Sequence, residues 1–338
     1  MIFFYGLLLL CGSCSKKNIA EQSIPLPSGL TVSFDVSPDS SGNVSYVAVA
    51  QNAASFEFDF GDGSYETSTS GAVTHRYGIS GNYSVNIIVK NSAGQGIDTS
   101  VLVSVVRAYR LIWSDEFDVA GAPSNARWGY DIGTGSGGWG NNELQYYTDR
   151  PSNVSISGGT LKINAVKESY NGSNYTSARL LTKDKFSFTY GKVEARAKLP
   201  SGLGTWPAIW MLGADISSVS WPACGEIDIM EHRGSELNKI YSTVHYPGHS
   251  GAGGVGSSIM SSAVADSFHV YAAIWDAAAI RFFVDDRPVF VFPNNSTLPF
   301  NHDFFLILNL AIGGNFGGNV DPALNAASME VDYVRVFN

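Results

Sequence analysis

Three carboxylates crowd into one short apolar run, Gly225-Glu226-Ile227-Asp228-Ile229-Met230-Glu231. Side chains alternate along a strand, so Glu226 and Asp228 share one face while Ile227 and Ile229 take the other. Strict alternation would send Glu231 to the wrong side. One extra residue near Met230, a β-bulge, returns it to the face of Glu226 and Asp228, and bulges are over-represented beside active sites. Backbone positions of Glu226 and Glu231 are then roughly 13 Å apart. Two glutamate side chains leaning together shorten that to about 5 Å, the separation retaining cleavage of a glycosidic bond requires. One carboxylate attacks the anomeric carbon; the other protonates the leaving oxygen and later activates water. Asp228 between them keeps the pair unlike. On this reading Glu231 is held protonated by neighbouring charge, and Glu226 stays ionised through hydrogen bonds. Two other readings remain open: a solvated polar face on an amphipathic strand, and a metal site drawing on Asp228, Glu231, His232 and His245, although no zinc-type spacing is present.

A strand carrying such groups needs a β scaffold around it, and composition supplies one. Only 15% of residues are charged, 36 are glycine and 12% are aromatic, a profile that with few helical patterns predicts an all-β chain. At 338 residues the length implies two or more units. The net charge of -9 and the lack of any Lys/Arg run exclude a nucleic-acid surface. The expected partner is a neutral ligand.

The chain opens on an apolar run, residues 2–10, of signal-peptide length and too short to span a membrane. Cys11-Gly12-Ser13-Cys14 follows, similar to a bacterial lipoprotein cleavage site with Cys14 as the lipidated residue. The expectation is an exported protein, anchored at the outer membrane or cell surface or else secreted, and touching membrane only through its lipid. An ordinary secretory signal is the alternative. Residues 15–28 read as a tether. Cys224 is the remaining cysteine, so no disulfide scaffold is expected. Its place beside Glu226 allows a catalytic thiol, but a lone cysteine in an apolar strand reads better as a small hydrophobe.

Residues 29–106 contain short alternating segments. Phe58-Asp59-Phe60-Gly61-Asp62-Gly63, His75-Arg76-Tyr77 and Gly81-Asn82-Tyr83-Ser84-Val85 resemble the PKD domain, which implies a small immunoglobulin-like β-sandwich. Phe56, Phe58 and Phe60 share a face and read as core rather than a sugar platform, with Asp59 and Asp62 as turn formers.

Residues 107–338 have longer strands and Gly-rich loops. In Gly204-Thr205-Trp206-Pro207-Ala208-Ile209-Trp210, alternation sets Trp206 and Trp210 on one face across a small residue, an apolar shelf on which a sugar ring can stack. Gly138-Trp139-Gly140-Asn141-Asn142-Glu143-Leu144-Gln145-Tyr146-Tyr147 offers the amides and phenols that suit a neutral polyol. His245 lies on a segment expected to pair with the acidic strand near Glu231.

Together with Asn309-Leu310-Ala311-Ile312-Gly313-Gly314, these stretches resemble glycoside hydrolase family 16, laminarinase branch, over about residues 109–338. The resemblance implies a β-jelly-roll preceded by the small sandwich, and retaining endo-hydrolysis of β-1,3-glucan without a catalytic cofactor. It implies Glu226 as nucleophile, Asp228 as assisting carboxylate and Glu231 as acid/base. Trp206, Trp210, Asn142, Arg179, Trp221 and His245 would line the sugar subsites. A structural calcium near Glu116, Gly159 and Asp332 is also implied. A monomer is expected. Mixed-linkage glucan, another polysaccharide of the family's range, or a non-catalytic glycan-binding role are the alternatives.

Overall fold

Short alternating segments fold into two sandwiches in succession, and each puts its apolar residues between its sheets. The computed structural model describes residues 24–338. The apolar leader, Cys14 and most of the tether lie outside the described residues. The regular structure of the remainder is almost entirely strand, as expected for an all-β chain.

In the first sandwich a three-stranded sheet (Ser28–Val36, Asn43–Gln51, Ala72–Arg76) faces a four-stranded one (Tyr65–Ser68, Ser55–Asp59, Gly81–Lys90, Gly96–Val105). Phe56, Phe58 and Phe60 are buried with Tyr46, Tyr77, Val85 and Ile87. They are core, so they offer no platform to a sugar. Asp59 accepts the Gly61 backbone N–H at 3.0 Å, the turn role expected of it. Asp62 does more: it accepts from the Ser64 backbone and lies 2.9 Å from His75 Nε2.

The second sandwich packs a ten-stranded sheet against a seven-stranded one. The latter runs Val255–Met260, Lys239–His245, Glu226–His232, Thr205–Gly213, Phe304–Ile312, Arg179–Leu181, Gly129–Tyr130, every pairing antiparallel. Ile209, Met211, Ile227, Met230, Leu306, Leu308 and Leu310 point from it into the core, where they meet Val193, Ala195, Tyr271, Ala273, Phe282 and Val334 of the larger sheet. Burial of such side chains contributes roughly 1.5–3 kcal/mol each. The same alternation leaves polar and aromatic residues of the seven-stranded sheet on its outer face, where the carboxylates stand.

The two sandwiches meet at Arg281. The residue is 5% exposed, and its guanidinium bonds Asp276 at 2.7 Å within its own domain and lies 4.0 Å from Asp62 of the other. Tyr109 donates to the Gly78 carbonyl across the same seam. A Cβ at Gly78 would collide with the Asp276 carboxylate, so a larger residue there would have to displace that side chain from Arg281.

Candidate active site

The acidic strand carries the expected bulge. Opposite Thr205–Gly213, Ile209 pairs with Met230 but Trp210 pairs with Asp228, so Ile229 is the extra residue. Opposite Lys239–His245, Asp228 pairs with Thr243 and Glu231 with Tyr241, again one residue long. Ile227, Ile229 and Met230 all enter the core. Glu226, Asp228 and Glu231 are thereby turned outward together.

Indoles fix the two glutamates. Trp221 Nε1 donates to Glu226 Oε2 at 2.7 Å, and Trp206 Nε1 donates to Glu231 Oε1 at 3.0 Å. Trp206 also packs against Phe316, with ring centroids 5.4 Å apart. His245 sits opposite Glu226 in the register, not near Glu231 as expected. Antiparallel pairing places the end of the Lys239–His245 strand beside the start of the acidic one. Its Nε2 is 3.1 Å from Asp228 Oδ2 and 3.9 Å from Glu226 Oε1.

Burial dominates the electrostatics. It is the largest cause raising Glu226 to about 8, reinforced by the Asp228 charge and partly offset by His245 and the Trp221 hydrogen bond. Glu231 rises to about 7, through burial first and the Glu226 charge second. Asp228, 3% exposed, is pushed well above the carboxylate range by burial and by Glu231. The sequence expectation is corrected on two points: desolvation outweighs neighbouring charge at Glu231, and Glu226 is itself raised. A cluster this tightly coupled cannot ionise completely near neutral pH, and its protons belong to the group as a whole.

A second network shapes the adjoining surface. The Arg179 guanidinium lies over the rings of both Trp139 and Trp210, 4.7 and 4.8 Å from their centroids, while its Nε is 3.0 Å from Asp131 Oδ2. Trp210 Nε1 donates to Asn309 Oδ1 at 2.8 Å, and Asn309 Nδ2 donates to the Tyr147 hydroxyl at 3.0 Å. That hydroxyl donates in turn to Glu143, which also accepts from Gln145 at 2.6 Å. The stretch carrying Glu143, Gln145 and Tyr147 was expected to offer amides and phenols to a sugar, but these residues and Asn309 were not singled out individually as site residues. Glu143, Gln145 and Tyr147 alternate at strand spacing, a signal the sequence contained. Asn142 is exposed and donates to Asn315 Oδ1 at 2.9 Å, which ties its loop to the Gly314–Gly317 turn.

Two expectations fare differently. Cys224 is fully buried with Leu181, Leu212, Phe305 and Ile307, and burial pushes its thiol up to about 11. It is a small hydrophobe, not a nucleophile. The residues assigned to calcium do not fit a cation as placed. Glu116 accepts two bonds from Arg335, at 3.1 and 2.8 Å, and Asp332 pairs with Arg196 at 2.6 Å. Gly159 is one of two left-handed glycines in the turn joining Val154–Ser157 to Thr160–Tyr170. Calcium favours several free oxygens, and here arginine already neutralises both carboxylates.

Comparison with known proteins gives this geometry a lineage. The family model for glycosyl hydrolases family 16 matches residues 139–335, and the PKD domain model matches residues 18–106. A beta-glucanase from Rhodothermus marinus is 47% identical over 245 residues, covering 68% of this chain and 85% of its own. The glucan endo-1,3-beta-glucosidase A1 of Niallia circulans is 37% identical over 261 residues, covering 69% of this chain and 38% of that longer protein. The X-ray structure of the laminarinase from Rhodothermus marinus superposes with a TM-score of 0.66 at 47% identity, over 68% of this chain and 98% of that one. A bulged acidic strand inside a two-sheet β scaffold and a family match over more than half the sequence lead to one conclusion: the chain belongs to glycosyl hydrolases family 16.

Proposed function

We propose that the protein hydrolyses internal β-1,3-glucosidic bonds of laminarin-type glucans with retention of anomeric configuration. One observation carries the assignment of roles: Glu226 and Glu231 stand on one face of the bulged strand, each held by its own indole, with the buried Asp228 between them. Burial and mutual charge keep the three carboxyls from ionising together, so they share protons. A proton shared within the cluster reduces the charge facing Glu226, which can then act as nucleophile. Glu226 attacks the anomeric carbon and forms a glycosyl ester as Glu231 donates its proton to the departing glycosidic oxygen. Glu231, now a carboxylate, takes a proton from water. The resulting oxygen attacks the same carbon and Glu226 leaves. With its acidity shifted to about 7, Glu231 can both give and take a proton near neutrality.

Trp206, Trp210 and Trp221 supply apolar faces for sugar rings, and Asn142, Arg179 and His245 supply polar groups around them. The β-1,3 linkage rests on the relatives. A reducing-sugar assay against purified laminarin, mixed-linkage glucan and galactans tests it, with proton NMR following the first anomer released. Laminarin cleaved fastest, with the β anomer appearing first, is the expected result. Preference for mixed-linkage glucan would move the substrate, and binding without cleavage would make the chain a glycan-binding protein.

We further propose export and lipid attachment at Cys14, on the sequence of residues 2–14. Labelling with a fatty-acid analogue should be lost in Cys14→Ser. A monomer is the proposed state, to be read by light scattering. On the pairing of Glu116 and Asp332 with arginines, calcium leaves the melting temperature unchanged. A rise of several degrees, reversed by chelator, would restore the calcium expectation.

A further inference from the structure

We propose that Glu226, Asp228 and His245 form an inhibitory site for a transition-metal dication of the zinc class, filled in competition with the glucan. The inference rests on the catalytic reading only for its inhibitory consequence; the site itself stands on geometry. The ligand atoms of the three side chains all lie within 4.8 Å of one another. His245 Nε2 is 3.1 Å from Asp228 Oδ2 and 3.9 Å from Glu226 Oε1. Zinc bonds of roughly 2.0–2.2 Å in a tetrahedron place neighbouring ligand atoms about 3.3–3.6 Å apart, between those two separations. Small side-chain movements would close the set.

The donor atoms are available. Asp228 Oδ2 is buried and has no hydrogen-bond donor in suitable geometry, although the residue is 3% exposed. Trp221 occupies Glu226 Oε2 and leaves Oε1 facing the imidazole. Among the described residues no lysine or arginine forms an ion pair with any of the three carboxylates; His245 is their close neighbour, and Arg179 acts on Glu226 only from beyond ion-pair distance. A dication would supply what is missing. One imidazole with two carboxylates suits zinc better than calcium or magnesium, which prefer larger sets of oxygens. Glu226 retains an exposed fraction of its side chain, so the fourth coordination position opens to the cleft. An ion seated there ties down the nucleophile's free oxygen and the assisting carboxylate together. It inhibits rather than activates, in contrast to a catalytic metal.

The test is calorimetric titration of zinc chloride into the chelator-treated full chain, beside hydrolysis assays on the same preparation. The expected result is one zinc site, full hydrolysis without metal, and zinc raising KM for laminarin while kcat holds. Laminari-oligosaccharide should weaken apparent zinc affinity at least tenfold. Glu231→Gln, which removes no ligand, should keep zinc binding while losing hydrolysis. His245→Ala should lose zinc affinity at least tenfold, with circular dichroism confirming its fold; should it not fold, Asp228→Asn is read in its place. No binding up to millimolar zinc, unchanged affinity in the ligand variant, or zinc that lowers kcat alone would overturn the proposal. A metal-free chain that binds zinc but cleaves no glucan would leave the site standing and remove the enzymatic reading instead.

Discussion

Both sandwiches bury carboxylates, and the two domains treat them in opposite ways. In the first, burial alone would raise Asp62, but hydrogen bonds from His75 and Ser64 outweigh it and hold the group at about 2. In the second, Glu226 is largely but not fully buried, with one indole donor and two neighbouring carboxylates, and it rises to about 8. A buried charge that is fully paired stabilises a fold. One left short of partners is held at the edge of ionisation, where it can trade protons with a substrate. The difference separates a carboxylate that holds structure from one poised to react.

The largest consequence is kinetic. Glu226→Gln should lower kcat on laminarin by about four powers of ten or more, and Glu231→Gln by about two to four, since neither remaining carboxyl can do both tasks. Stopped assays on variants with unchanged circular dichroism check this. Equal activity in either would erase the contrast with Asp62.

A smaller effect has the sign that distinguishes the two domains. Glu226 and Glu231 bind protons in the folded chain that the unfolded chain has released, because their acidity shifts from 4.5 to about 8 and about 7. Their contribution to stability is full below about 4.5 and is lost as pH rises through 7 to 8. Glu226→Gln removes that liability and should exceed the wild type in stability at pH 9 by on the order of 2–4 kcal/mol. Denaturant melts at pH 5 and pH 9 measure it. A variant less stable than wild type at pH 9 would contradict the assignment.

Asp62 runs the other way, and its effect is smaller still. Its acidity is lowered from 3.8 to about 2, so its contribution is present above 3.8 and lost as pH falls through 2. Asp62→Asn should destabilise the first domain by about 2 kcal/mol at neutral pH and leave hydrolysis of laminarin unchanged. A stabilised variant would show that the His75 pairing does not offset burial.

Much of this was legible from residue order, for physical reasons. The bulge follows from where Glu226, Asp228 and Glu231 stand relative to Ile227 and Ile229, since period-two alternation admits few solutions. The aromatic core of the first sandwich follows from Phe56, Phe58 and Phe60 in the same way. What depends on how distant segments meet was not legible. His245 falls beside Glu226 because the antiparallel register, set across residues 233–238, puts it there. Glu143 reaches Trp210 only through Tyr147 and Asn309, which are far apart in the chain. The arginine partners of Glu116 and Asp332 come from other strands, and their pairing with these carboxylates depends on how those strands meet. The degree to which burial raises Glu226 likewise depends on the packed site and not on neighbours in sequence.

The central claim is that Glu226 is the carboxylate that bonds to the sugar. Chemical rescue tests it most directly. Glu226→Gly, given an activated β-laminari-oligosaccharide and azide, should regain turnover and release the α-glycosyl azide, because the small anion attacks from the face the carboxylate has vacated. A β-glycosyl azide from this variant, or the α product from Glu231→Gly in its place, would contradict the account.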